Sequence, residues 1–171
     1  MKLLSDWGFS LEGLRTGNKG EYWFFIQALL IILFPFIPVY RPTWLEINSS
    51  NLLYFTWGVA AFLGLIALIF IGKGLIDLGK QLTPLPYPKE DGELVQTGIY
   101  SLVRHPLYSG LLFLTLSWAI FQISLTHLLG VLIIFIVLNA KASKEEAWLS
   151  DKFPEYTEYR QRVKKLIPWL Y

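Results

Sequence analysis

Two short stretches of this chain hold most of its chemically useful side chains. The first is "SLVRHPLYSG", residues 101–110, which sets Arg104, His105 and Tyr108 immediately before a run of leucines. The second is Glu145-Glu146. An arginine beside a helix N-terminus makes an anion site, because the guanidinium and the free N–H groups favour the same charge. Pro106 suits the first turn of that helix, where its missing N–H would have been unpaired anyway. His105, pushed toward extended geometry by the following proline, is placed to cap the helix. Ser109 and Gly110 remove bulk, so a ligand or a neighbouring helix can lie against the backbone. Arg-His-Pro-x-Tyr-x-Gly as a unit is more than positive-inside anchoring requires. The paired carboxylates could accept hydrogen bonds from vicinal hydroxyls or attract a cationic ligand. Their plainer reading is a solvated helix face, with Lys141 and Glu145 as an i,i+4 pair. A helix ending just before them would place both at its negative dipole end; the alternative is a helix that runs on to about Lys152, stopping before Pro154.

A third stretch, "FPEYTEYRQRVKKLIPWLY", brings Phe153, Tyr156, Tyr159, Val163 and Leu166 to helical spacing and reads as an amphipathic interfacial helix. Lys164 and Lys165 are then expected at lipid head groups, while Tyr156 and Arg160, one turn apart, could face the site. Lys73 is expected to snorkel, with Asp77 one turn on. Gly72-Lys73-Gly74 lacks the length and the Ser/Thr of a phosphate loop. His127 reads as a polar turn residue. With no cysteine and two histidines, disulfides, thiolate metal sites and a cysteine nucleophile are excluded, and no metal is expected. A net charge of +2 does not point to nucleic acid.

The elements that must hold these groups are helices in a membrane. Hydrophobic residues make up 54% of the 171 residues and charged ones 16%, which is not the balance of a water-soluble domain. Four segments are expected to span: residues 22–40, with Pro35 and Pro38 near its end; residues 52–76, carrying the small residues Gly58, Ala60, Ala61, Gly64 and Ala67; residues 106–123; and residues 125–138, the last two in a tight hairpin. Residues 1–20 lack a signal-peptide pattern and are expected to form an interfacial or cytoplasmic arm. Of the 15 lysines and arginines, only Arg41 falls outside when both termini are cytoplasmic. Residues 77–105 and 139–171 then meet on the cytoplasmic side. The expectation is a single all-α polytopic domain over 1–171, with about four transmembrane helices and a cytoplasmic cofactor pocket.

"GIYSLVRHPLYSG", residues 98–110, followed by "KEEAWLSDKFPEYTEYRQRVKKLIP", residues 144–168, resembles the isoprenylcysteine carboxyl methyltransferases and their relatives, the membrane phospholipid N-methyltransferases. The likeness covers roughly the last half of the chain. It implies S-adenosylmethionine in a cytoplasmic pocket and a lipophilic or lipid acceptor entering between helices. Carried over by position, it implies a cofactor site of Tyr100, Arg104, His105, Pro106, Tyr108, Gly110, Glu145 and Glu146. It also implies substrate contacts from Tyr156 and Arg160, with Arg160 and Glu146 in catalysis. Methyl transfer from a sulfonium is a displacement that needs positioning more than metal or covalent chemistry, which suits a chain without cysteine. The rival readings are a nicotinamide-dependent sterol-type membrane reductase and a non-enzymatic membrane scaffold. Against a transporter stands the scarcity of ionisable groups in the spans.

Overall fold

The computed structural model describes residues 11–171 apart from Glu46, Asn48 and Glu90, and the side chain of Leu11. The first half of the expected N-terminal arm, residues 1–10, therefore lies outside the described residues. The architecture is all-helical: α1 (Leu11–Thr16), α2 (Glu21–Leu33), α3 (Ser50–Leu78), α4 (Pro106–Phe121), α5 (Leu125–Lys152) and α6 (Tyr156–Arg162). Short 3₁₀ turns flank them, and there is no strand among the described residues. The one sheet-like contact is a parallel bridge between Val103 and Lys164.

Two helices, running over residues 50–81 and 125–152, are long and apolar enough to cross a bilayer. Only 22% and 33% of their most apolar windows are buried inside the protein, far below what the core helix of a soluble domain would show. Phe55, Phe62, Leu65, Leu68 and Ile76 point outward from α3, and Leu129, Ile133 and Ile136 from α5. Such a surface is stable against lipid and costly against water. The expected four full crossings reduce to two long helices and two shorter apolar ones, over residues 21–36 and 106–121.

The first expected span is shorter than predicted because of its prolines. After Leu33 the chain tightens into a 3₁₀ turn, Phe34–Phe36, and is extended by Ile37. Pro35 and Pro38 supply no N–H to continue an α-helix. The fourth span is longer than predicted: α5 does not stop near residue 138 but continues to Lys152. Its extension, "NAKASKEEAWLSDK", is rich in Ala, Lys and Glu and free of Gly and Pro, so nothing ends it before Pro154. Glu145 and Glu146 thus sit inside a helix, away from its unfavourable end.

Helix α3 packs along α4, α4 against α5, and α2 against α5. Ala60, Ala67 and Gly74 recur every seven residues on the buried stripe of α3. A Cβ at Gly110 would stand 2.5 Å from Ile71 Cγ1 and 3.1 Å from the Ala67 carbonyl, so only glycine lets the two backbones come this close. Ser117 Oγ donates to the Ala60 carbonyl at 2.7 Å and ties the pair further along. By contrast, Gly58, expected on the same stripe, has nothing near it.

The α4–α5 hairpin closes at one end of the bundle. Arg41 Nε donates to the Gln122 carbonyl at 2.8 Å, and Leu125 N to the Tyr40 carbonyl at 2.9 Å. At the opposite end converge the start of α2, the end of α3, the start of α4 and the polar half of α5. There Asp77 Oδ2 accepts from Ile99 N at 2.8 Å, fixing the 3₁₀ turn Gly98–Ser101 on the end of α3. Gly98 has φ +59°, and a side chain on it would collide with the Asp77 carboxylate.

Candidate active site

Helix α4 begins as its sequence dictates, with Pro106 in the first turn and His105 at the cap position. The His105 side chain, however, makes no capping hydrogen bond. It turns instead toward α5, where two acidic side chains are available. His105 Nε2 lies 3.0 Å from Glu146 Oε1, and Nδ1 lies 3.7 Å from Glu145 Oε2. The ring stacks parallel to Tyr108, centroids 5.3 Å apart, and Tyr108 OH donates to Glu145 Oε2 at 2.8 Å. Arg104 Nε donates to the same Glu146 oxygen at 2.8 Å. Glu146 is buried, and a buried carboxylate is tolerable only when paired and hydrogen-bonded in this way.

The C-terminal segment holds this knot from behind. Arg104 N donates to the Lys164 carbonyl at 2.8 Å and His105 N to the Lys165 carbonyl at 3.1 Å. Arg104 Nη1 donates to the carbonyls of Arg160 and Val163. Ser109 Oγ bonds the Leu166 carbonyl at 2.5 Å, and Tyr159 OH donates to the Tyr100 carbonyl at 2.6 Å. Arg104 is therefore committed to the protein rather than open to an anion.

The expected interfacial helix is corrected by the same contacts. Helix α6 is seven residues long, and its apolar face, Tyr156 and Tyr159, is buried against the Arg-His-Pro turn instead of lipid. Lys165 turns inward to Asn139 Oδ1 (2.8 Å) and Ser143 Oγ (2.7 Å), and burial lowers its ammonium pKa. Burial also raises the phenols of Tyr100, Tyr156 and Tyr159, so each stays a donor. The Tyr156 hydroxyl is buried and meets no partner among the described residues.

Beside the knot opens a cavity of about 310 Å³. Arg104, His105, Tyr108, Glu145, Gln27 and Lys141 give it polar points, and Phe24, Ile71, Leu107 and Leu111 give it apolar walls. Tyr100 and Pro106 also line it. A second space of about 100 Å³ shares Tyr100, Arg104 and Glu145 and adds Tyr156 and Tyr159. This is the composition of a small-molecule site: mostly apolar, with a few convergent polar groups.

Of the residues singled out in the sequence, the structure brings together Tyr100, Arg104, His105, Pro106, Tyr108, Glu145 and Glu146, with Tyr156 at the second space. Gly110 faces α3 instead of the cavity. Arg160 is exposed on the far side of the knot, its Nε 3.8 Å from Glu146 Oε2. Trp148 packs edge-on against Tyr87 and lines neither space. Sequence reasoning missed Gln27, Phe24 and the 82–84 loop, and it misread Lys141. That residue is no surface partner of Glu145: its Nζ lies 2.7 Å from Gln27 Oε1 and 3.2 Å from the Pro84 carbonyl. The available signal was its spacing, one turn before Glu145 and on the same helix face.

A family model described as phospholipid methyltransferase matches residues 55–156, which include most of α3 and the whole of α4 and α5. The chain belongs to the phospholipid methyltransferase family. The matched region takes in the Arg-His-Pro turn, Tyr108 and both glutamates. A methanethiol S-methyltransferase of a Pseudomonas species is 30% identical over 154 residues, covering 84% of this chain and 55% of that relative. Methanethiol S-methyltransferase 1 of Bradyrhizobium diazoefficiens is 38% identical over 93 residues, covering 54% of this chain and 30% of the relative. The chain thus spans about half or less of the length of these relatives.

Proposed function

We propose that this member of the phospholipid methyltransferase family is an S-adenosylmethionine-dependent methyltransferase that works at the membrane on a lipophilic acceptor. The observation that carries the reading is the cavity of about 310 Å³ between the helices, with His105, Tyr108 and Glu145 on one apolar-walled surface. The donor supplies a methyl group on a sulfonium, and the residues present suit it. The Glu145 carboxylate is an acceptor for a diol, and the second space sharing Tyr100, Arg104 and Glu145 gives room for an extended molecule.

In this reading His105, Tyr108 and Glu145 bind the donor, with Tyr100 and Pro106 shaping the wall. Glu146 and Arg104 are positioning residues: the carboxylate orients His105, and the guanidinium joins that carboxylate to the tail. Tyr156, with its buried and unmatched hydroxyl, is placed to donate a hydrogen bond into the second space. Arg160 closes the polar side of Glu146. The apolar walls open the cavity to an acceptor that arrives from lipid, and exclusion of water strengthens each electrostatic contact inside. In this reading the polar end of the bundle faces the cytoplasm, with both ends of the chain on that side, an orientation that the distribution of basic residues favours.

Calorimetry of the detergent-solubilised protein with S-adenosylhomocysteine, and separately with a nicotinamide cofactor, tests this reading. Binding of the former that is lost in the Glu145→Ala, Glu146→Ala double variant is the expected result. Binding of the nicotinamide alone would replace the methyltransferase reading with that of a membrane reductase. Because the chain has no cysteine, single cysteines introduced at Ser101 and Arg41 report the orientation by labelling from either side of a vesicle.

A further inference from the structure

One charged group on the cavity wall has no part in the scheme above. Lys141 is buried, and its Nζ contacts Gln27 Oε1 at 2.7 Å, the Pro84 carbonyl at 3.2 Å and the face of the Tyr108 ring at 5.2 Å from its centroid. All three partners are neutral. Among the described residues no carboxylate lies within 4.0 Å of it, the reach of an ion pair. Glu145, one turn along α5, directs Oε2 to Tyr108 and His105 instead. An ammonium has three donors, and two are engaged. With Glu145 acting on it only from beyond ion-pair reach, the buried cation is costly, and the cost falls when an anion arrives beside it.

We propose that Lys141 selects the acceptor: the cavity admits an apolar molecule whose attacking atom is anionic, a thiolate or a carboxylate, and disfavours an amine. This inference rests on the reading of the cavity as a methyl-transfer site. An amine builds positive charge on nitrogen as it attacks, and in a water-poor cavity a fixed cation opposes that charge strongly. A thiolate or carboxylate attacking a sulfonium instead cancels charge, which a dry site favours. For a thiol, the proton leaves to water and the ammonium raises the thiolate fraction. The thiolate sulfur then forms a bond to the methyl carbon as the bond from that carbon to the sulfonium sulfur breaks. The electron pair stays on the departing sulfur, leaving two neutral thioethers. The Phe24, Ile71 and Leu111 walls hold the hydrocarbon part of the acceptor.

The test offers the solubilised full chain labelled S-adenosylmethionine with three acceptors: a short alkanethiol, a prenyl-thioether carboxylate and an ethanolamine phospholipid. Methylation of the thiol or the carboxylate at least tenfold faster than the amine is expected, and the arm that reacts identifies the nucleophile. Lys141→Met and Lys141→Gln should each lower that activity by roughly ten- to a hundredfold, the range for losing a hydrogen bond to a charged group. Amine methylation and S-adenosylhomocysteine binding should not fall. Lys141→Gln keeps a hydrogen bond for Gln27 or Pro84 but not the charge, so full thiol activity in that variant would reduce Lys141 to a structural tie and overturn the proposal. Preference for the amine in the unaltered protein would overturn it without any variant. Loss of both S-adenosylhomocysteine binding and transfer to every acceptor would instead overturn the methyl-transfer reading itself.

Discussion

The chain has two histidines, and both are buried at the start of a helix, yet their surroundings share almost nothing. His105 opens α4 at the polar end, between two carboxylates and stacked on a tyrosine. His127 lies in the first turn of α5 at the other end. There Nδ1 meets Ser124 Oγ at 2.8 Å, the ring meets Phe34 edge-on at 5.2 Å, and Nε2 has no partner among the described residues. Position on a helix does not distinguish them. The difference comes from what lies across the packing interface: at one end the Glu145–Glu146 pair on α5, at the other the aromatic ring of Phe34. A histidine set between acids and beside a cavity can hold a ligand in a defined orientation, whereas one set in an apolar wedge fixes a hairpin.

That contrast can be broken most forcefully at Glu146. Replacing it with alanine leaves Arg104 buried beside His105 without a carboxylate, a change worth about 3–5 kcal/mol. Methyl transfer should fall by more than a hundredfold, and the thermal midpoint should drop. An active variant of normal stability would remove Glu146 from the centre of the knot. Next comes His105→Leu, for which radiolabel transfer should fall by roughly ten- to a hundredfold if the imidazole orients the bound donor. Tyr108→Phe removes only the hydroxyl that bonds Glu145. Calorimetry with S-adenosylhomocysteine should show affinity weaker by about fivefold, the equivalent of roughly 1 kcal/mol for one hydrogen bond. The smallest effect on activity belongs to His127→Leu, which should leave turnover within about twofold and lower stability by about 1 kcal/mol through loss of the Ser124 contact. Equal loss of activity in His127→Leu and His105→Leu would erase the distinction between the two ends.

Much of this arrangement is legible in the sequence, and the residues show why. The long apolar run of α3 and the proline-led start of α4 follow from local composition, so their limits were placed within a few residues. The Arg-His-Pro turn and the Glu pair pointed to each other through the family resemblance, since nothing within either stretch encodes a partner about forty residues away. What stayed hidden depended on tertiary packing. His105 has a cap position but not a cap role, because the carboxylates outcompete the helix end for its ring. Tyr156 and Tyr159 have the spacing of a membrane-surface helix, and periodicity alone does not say whether lipid or protein covers an apolar face. Lys141 looked like a local i,i+4 partner until Gln27, from a helix more than a hundred residues earlier, took its ammonium.

The bridge between Val103 and Lys164 also bears on the order of events during synthesis. The two long helices and the hairpin are all translated before Lys164 appears, so the bundle is available for insertion while Arg104 and the backbone of His105 still lack the carbonyls that hold them. In that interval Glu146 can neutralise the arginine at once, because α5 precedes the tail. The site therefore rests on two separable supports, charge from α5 and backbone carbonyls from the tail, and a chain cut after α5 would keep the Arg104–Glu146 pair while losing the carbonyls that hold Arg104 and His105.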